Sequence, residues 1–131
     1  MKTKPTFSFI ISLDLFPYDC YVVINKSPGL VQKQLTKWGK PLSEDILNVL
    51  KEKADNSAIY VYNTEKRTSL IYINAVDMKK ATELFTHENF HFIYRISKTV
   101  GINLTDDSEE VFSYGLEYCM KQFLQHTKYK G

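Results

Sequence analysis

Arginine is nearly missing from this chain of 131 residues: Arg67 and Arg95 are the only two among seventeen basic residues. The lysines that make up the rest are scattered, and the net charge is only +2. No basic patch forms, so nucleic acid is not an expected partner. Cysteine is also scarce. Cys20 and Cys119 make neither a disulfide framework nor a C-x-x-C pair, so free buried thiols in a reducing compartment are expected. Long apolar runs are absent, which excludes a transmembrane helix by length. The one apolar stretch behind a basic start, Phe7 to Leu13, is stopped by Asp14 and has no small-residue cleavage site after it. A cytoplasmic chain with no membrane partner is the expectation. With no repeat, low-complexity tract or linker, residues 1–131 are expected to form a single domain. Histidine is rare too, at three residues, yet two of them fall within five positions.

The rest is ordinary globular composition, with many aromatics, and its order predicts an α+β fold: a small mixed or antiparallel sheet packed on helices. Phe7–Leu15 and Tyr21–Ile24 read as strands joined through the Pro17-Tyr18-Asp19 turn. Ser27-Pro28 supplies an N-cap and a first-turn proline, and Leu30, Val31, Leu35 and Trp38 give that helix its apolar stripe. Ser43 caps a second helix with Ile46, Leu47 and Leu50 inside. Ala58–Tyr62 and Ser69–Asn74 form a hairpin across residues 63–67. A long helix spans about 77–100, its core stripe being Met78, Ala81, Phe85, Phe92 and Ile96, with Gly101 as left-handed cap. A last helix covers about 106–125 on Phe112, Leu116, Cys119 and Phe123, and a tail from His126 is expected to fray.

Within the long helix, His87-Glu88-Asn89-Phe90-His91 spells H-E-x-x-H. Histidines at i and i+4 stack on one helix face, so both imidazoles can reach one Zn²⁺. Glu88 lies about 100° around the helix, within reach of a metal-bound water whose proton it would take. Because Phe90 and Ile93 make another side of this helix apolar, the histidine face is expected to line a cleft. A catalytic zinc ordinarily has three protein ligands. His126 is a poor third, and Glu109 and Glu110, opening the next helix, are better candidates. Glu110 shares a face with Tyr114 and Glu117 and is preferred over Glu109 on facing. A local role competes, since Asp106 to Glu109 and Asp107 to Glu110 both have capping-box spacing.

H-E-x-x-H followed by a helix that opens with glutamate resembles the gluzincin group of zinc peptidases. The span from Asp77 to Gln125 is similar to the minigluzincins, and to small H-E-x-x-H proteins of phages and prophages with a Glu-Glu-x-x-x-Tyr helix, here Glu109 to Tyr114. The resemblance implies a zincin-like domain with Zn²⁺ on His87, His91 and Glu110. Glu88 becomes the general base of peptide hydrolysis on a peptide or protein substrate. It also implies that the strand at about Ser69 to Asn74 borders the cleft and aligns an extended peptide, although that strand is apolar enough to lie inside the sheet. Two departures stand out. Tyr114 occupies the place where larger gluzincins carry an acidic residue, and no separate histidine serves an oxyanion. Tyr94, Arg95 or Tyr114 would have to take that role, with Tyr114 assigned as catalytic. The alternative is a catalytically weak or inactive zinc protein that binds a phage or host factor. The oligomeric state is open.

Overall fold

The two least polar runs, Tyr21–Ile24 and Leu70–Ile73, lie side by side at the centre of one sheet. A computed structural model describes residues 4–14, 16–63 and 68–131. It shows strands β1 (Phe7–Ser12), β2 (Asp19–Ile24), β3 (Ser57–Asn63) and β4 (Thr68–Asn74). Helices are α1 (Pro28–Lys37), α2 (Glu44–Lys51), α3 (Met78–Thr99) and α4 (Glu109–Thr127). The sheet order is β1-β2-β4-β3. The outer pairs are antiparallel hairpin pairs, and β2 runs parallel to β4. A parallel pair needs a long crossover. Here α1, α2 and the edge strand β3 supply it. The fold is therefore α+β with a mixed sheet.

Side chains of the central strands alternate between two cores. Cys20, Val22, Ile24, Ile71 and Ile73 face α3 and α4, with Phe85, Phe92, Ile96, Phe112 and Phe123. Tyr21, Val23, Leu70 and Tyr72 face α1 and α2, where Val31, Leu35 and Leu50 meet them. Strands covered on both faces lose the polar alternation of a half-exposed strand, which is why these runs read as continuous apolar stretches. This settles the position of β4. It is an interior strand hydrogen-bonded on both sides, so it has no free edge on which a substrate peptide could align.

The helix starts follow the expected capping chemistry. Ser27, Ser43 and Asp77 accept from Leu30, Ile46 and Lys80 backbone N–H groups. The Asp77 bond is the shortest, at 2.8 Å, and its charge also complements the N-terminal end of the helix dipole. Replacing Asp77 by Ala is expected to lower unfolding free energy by about 1 kcal/mol. Urea titration followed by circular dichroism measures it, and a change below about 0.3 kcal/mol would show that the cap is idle. Gly101 sits past the end of α3 at φ +84, the left-handed conformation expected there.

Some boundaries differ from the sequence reading. The first strand closes at Ser12, and Leu15 lies outside the described residues, as do residues 64–67 of the β3–β4 connection. Leu30 and Trp38 are exposed rather than part of the α1 core stripe. α4 starts later than expected, with Ser108 rather than Asp106 or Asp107 as N-cap, so neither capping box forms. It also runs further. His126 is helical and stacks on Phe9 with ring centroids 4.5 Å apart, and Thr127 is buried. A β1 aromatic and the α4 terminus thus hold each other, where the sequence reading expected fraying. One residue the sequence reading passed over is structural. Asn25, at φ +57, donates to the carbonyls of Pro5 and Ala75 and accepts from the Ala75 N–H, tying the entry to β1 to the exit from β4.

Candidate metal site

His87 and His91 stand one turn apart on α3, and their Nε2 atoms approach to 3.2 Å. Their rings meet edge to face at 4.9 Å between centroids. Two nitrogens bound to one tetrahedral zinc at about 2.0–2.1 Å would sit about 3.3 Å apart. The pair therefore already has the spacing of two ligands to a single ion.

The surroundings differ from the sequence expectation. Both imidazoles are exposed, so among the described residues the histidine face is open to solvent and does not line a recess between apolar flanks. Its neighbours Phe90 and Tyr94 are exposed as well and stack on each other at 5.9 Å. The physical reason is the width of the buried arc. Asn89 and Ser97 are buried with Ile93, which carries the covered side of α3 well around from Phe85. Asn89 Nδ2 donates to the Leu116 carbonyl, and the face of Gly115 lies against Ile93. A Cβ at position 115 would come within 3.2 Å of Ile93 Cδ1, so glycine permits this close helix contact. α4 thus seats on the Asn89–Ile93 side of α3, away from the histidines.

Glu110 does not join them. It points to solvent, about 200° around α4 from the buried Phe112. Glu109 is exposed too. Among the described residues no three His, Cys, Asp or Glu side chains come close enough to share a metal. Glu109 and Glu110 sit instead in the first turn of α4, where carboxylates stabilise the helix dipole.

Tyr114 is also occupied elsewhere. Its hydroxyl donates to Asp14 Oδ2 at 2.5 Å, and Tyr118 donates to the Ser12 carbonyl, so two stacked tyrosines of α4 clamp the end of β1. The bond to Asp14 favours the protonated phenol and raises the Tyr114 pKa. Arg95 lies over the Tyr62 ring of β3, 5.7 Å from its centroid. Tyr94 carries Lys98 over its ring. Among the described residues, none of the three oxyanion candidates is held beside the histidines by a contact of its own.

Glu88 is the unusual group. It is only 8% exposed and makes no hydrogen bond or ion pair among the described residues. A carboxylate on a mostly covered residue is ordinarily paired or hydrogen-bonded, because leaving water is costly for a charge; here the oxygens keep an opening to solvent instead. Sequence reasoning identified Glu88 by motif, but its burial was not visible there.

Both cysteines are free and buried, as expected. Burial raises the Cys20 thiol well above its usual range and pushes Cys119 up to about 12. Neither offers a thiolate to a metal. In the native state both should resist Ellman's reagent at pH 8, and both should react once guanidinium unfolds the chain. Fast native labelling of either one would show that the α3–α4 core opens readily.

No family model, curated protein or solved structure matches this chain. The gluzincin resemblance therefore rests on the motif alone.

Proposed function

We propose that this chain is a zinc-binding protein whose ion is held by His87 and His91 on the exposed face of α3. The observation that carries the reading is the 3.2 Å approach of the two Nε2 atoms. It matches the spacing of two ligands on one ion, and no rearrangement of the helix is needed to reach it. The open face suits a metal whose remaining positions are taken by water or by a partner. This is the interaction-protein form of the reading.

The burial of Glu88 favours a second reading, a zinc-dependent peptidase. Zinc, when bound, supplies polarisation of a substrate carbonyl and acidification of water. Glu88 is the proton acceptor in this reading, since no neighbouring group among the described residues competes for its carboxylate oxygens. With Glu110 turned away, a peptidase on this scaffold works with two protein ligands or takes a third from a partner.

Isothermal titration with Zn²⁺ tests both. About one ion per chain is expected, with binding lost in His91→Ala and His87→Ala. Glu88→Gln should keep the metal and, in the second reading alone, abolish cleavage of a quenched fluorescent peptide library. If the wild-type chain takes up no zinc, or both histidine variants bind it as well as wild type, the metal reading fails.

A further inference from the structure

We propose that the cleft between α1 and α4, with the free edge of β1 at its base, binds an acidic peptide that adds to β1 as an extended strand. β1 is an edge strand paired only with β2. A hollow of about 310 Å³ opens along it, touching Ser8, Phe9 and Ile10 of β1, Gln34 of α1, Trp38 just past its end, and His126 of α4. Both helical layers reach the edge, and Ser8 and Ile10 stay exposed between them.

The backbone there is available. The Leu13 N–H donates to the Tyr18 carbonyl, and the register pairs Phe7 with Ile24 and Phe9 with Val22. Directly opposed residues of an antiparallel pair alternate between bonded and non-bonded positions. Phe7, Phe9 and Ile11 therefore bond inward to β2, and Ser8, Ile10 and Ser12 turn their backbone groups outward. Tyr118 already occupies the Ser12 carbonyl. The outward N–H and C=O groups of Ser8 and Ile10 are left for an added strand.

Charge selects the partner. Beside the first hollow a larger one, about 550 Å³, shares Ser8, Tyr21 and Gln34 and is lined by Lys26, Lys33 and Lys37. No carboxylate lines it. Lys33 and Lys37 make no ion pair among the described residues, and Lys26 reaches to the Ser8 hydroxyl at 2.9 Å, beside the free backbone. A strand laid on β1 would place alternate side chains against these ammonium groups, so Asp or Glu at those positions is the complementary pattern. A peptide fits this edge better than a nucleic acid. Outward carbonyls repel phosphate, and the Trp38 ring is engaged edge-on with Tyr21 at 5.0 Å rather than free to stack a base. The cleft lies at the sheet edge opposite β3, so this inference does not depend on the metal reading.

The test uses a fluorescein-labelled peptide of about nine residues alternating Glu and Val, followed by anisotropy with the whole chain. Saturable binding that weakens with salt is expected. Lys33→Glu combined with Lys37→Glu, both on an exposed helix face, should weaken it about tenfold or more. Ile10→Pro removes one outward N–H without touching the β1–β2 ladder and should also weaken it. Circular dichroism checks that this variant folds, and the lysine pair decides if it does not. The proposal is overturned if the peptide fails to bind, if charge reversal leaves its affinity unchanged, if folded Ile10→Pro binds as wild type does, or if oligothymidylate binds as tightly.

Discussion

Phe85→Ala is expected to lower the stability of the chain by about 3–5 kcal/mol, the range for a fully buried phenylalanine. Phe85 is 1% exposed and stacks on Phe123 with centroids 4.2 Å apart and planes 20° from parallel. Phe123 meets Phe9 edge-on at 6.0 Å, and Phe9 stacks on His126. One aromatic column therefore joins α3, α4 and β1. Removing its first ring leaves a cavity between two helices that have no other stacked pair between them, and close-packed neighbours relax only partly into such a space. Domains of this size are stable by about 5–15 kcal/mol, so the loss is a large share of the total. The melting temperature should fall by about 10 °C or more. Phe85→Leu refills most of the volume and should recover over half of the loss. Guanidinium titrations of the three chains measure both differences. A loss below about 1 kcal/mol for the alanine variant would mean that the column does not hold the helices together. The histidine pair lies on the opposite face of α3, so zinc uptake in the folded fraction should be unchanged.

Much of this fold was legible because its signals are local. Ser27, Ser43 and Asp77 cap their helices by bonds to a backbone N–H three residues on, a reach that sequence spacing alone specifies. Gly101 ends α3 for an equally local reason. The place of β4 in the sheet was not legible. An apolar strand reads the same at a covered edge and in the interior, and its parallel pairing with β2 depends on a crossover through α1, α2 and β3 that no short window contains. His126 reads as a fraying tail for a related reason: what keeps the end of α4 ordered is Phe9, over a hundred positions earlier.

The candidate site divides along the same line. The approach of His87 and His91 follows from helix geometry and was fully readable. The direction in which they face was not. Hydrophobic periodicity locates the apolar stripe of α3 at Phe85, Phe92 and Ile96, but Asn89 and Ser97 extend the buried arc without contributing to that signal. Their burial is decided by α4, which comes close because Gly115 has no side chain to hold Ile93 away. Polar residues at a helix contact are thus where a periodicity argument assigns the wrong face. Glu110 is turned away from the histidines for the same reason: the helix that carries it seats on the other side of α3.

Glu88→Met is expected to raise stability by about 1 kcal/mol, against a background in which most exposed helix substitutions move it by less than about 0.5 kcal/mol. Methionine is close to glutamate in length and volume and is an equally good helix former, so the exchange isolates the carboxylate. The residue is nine-tenths covered, and its carboxylate has no protein partner among the described residues while keeping an opening to solvent. The hydration it gives up is therefore offset only by the water that still reaches its oxygens, whereas a thioether at the same place adds apolar contact with the α3 core. A gain means that the fold carries a group it would be more stable without, which is the signature of a side chain kept for chemistry. Titration of Zn²⁺ into the same variant then separates the two functional readings. Retained zinc with no change in partner binding leaves Glu88 outside the interaction surface, and retained zinc with lost hydrolysis makes it the proton acceptor. Destabilisation by more than about 1 kcal/mol would show instead that the carboxylate is paired in solution and is structural, and the peptidase reading would lose the observation that favours it.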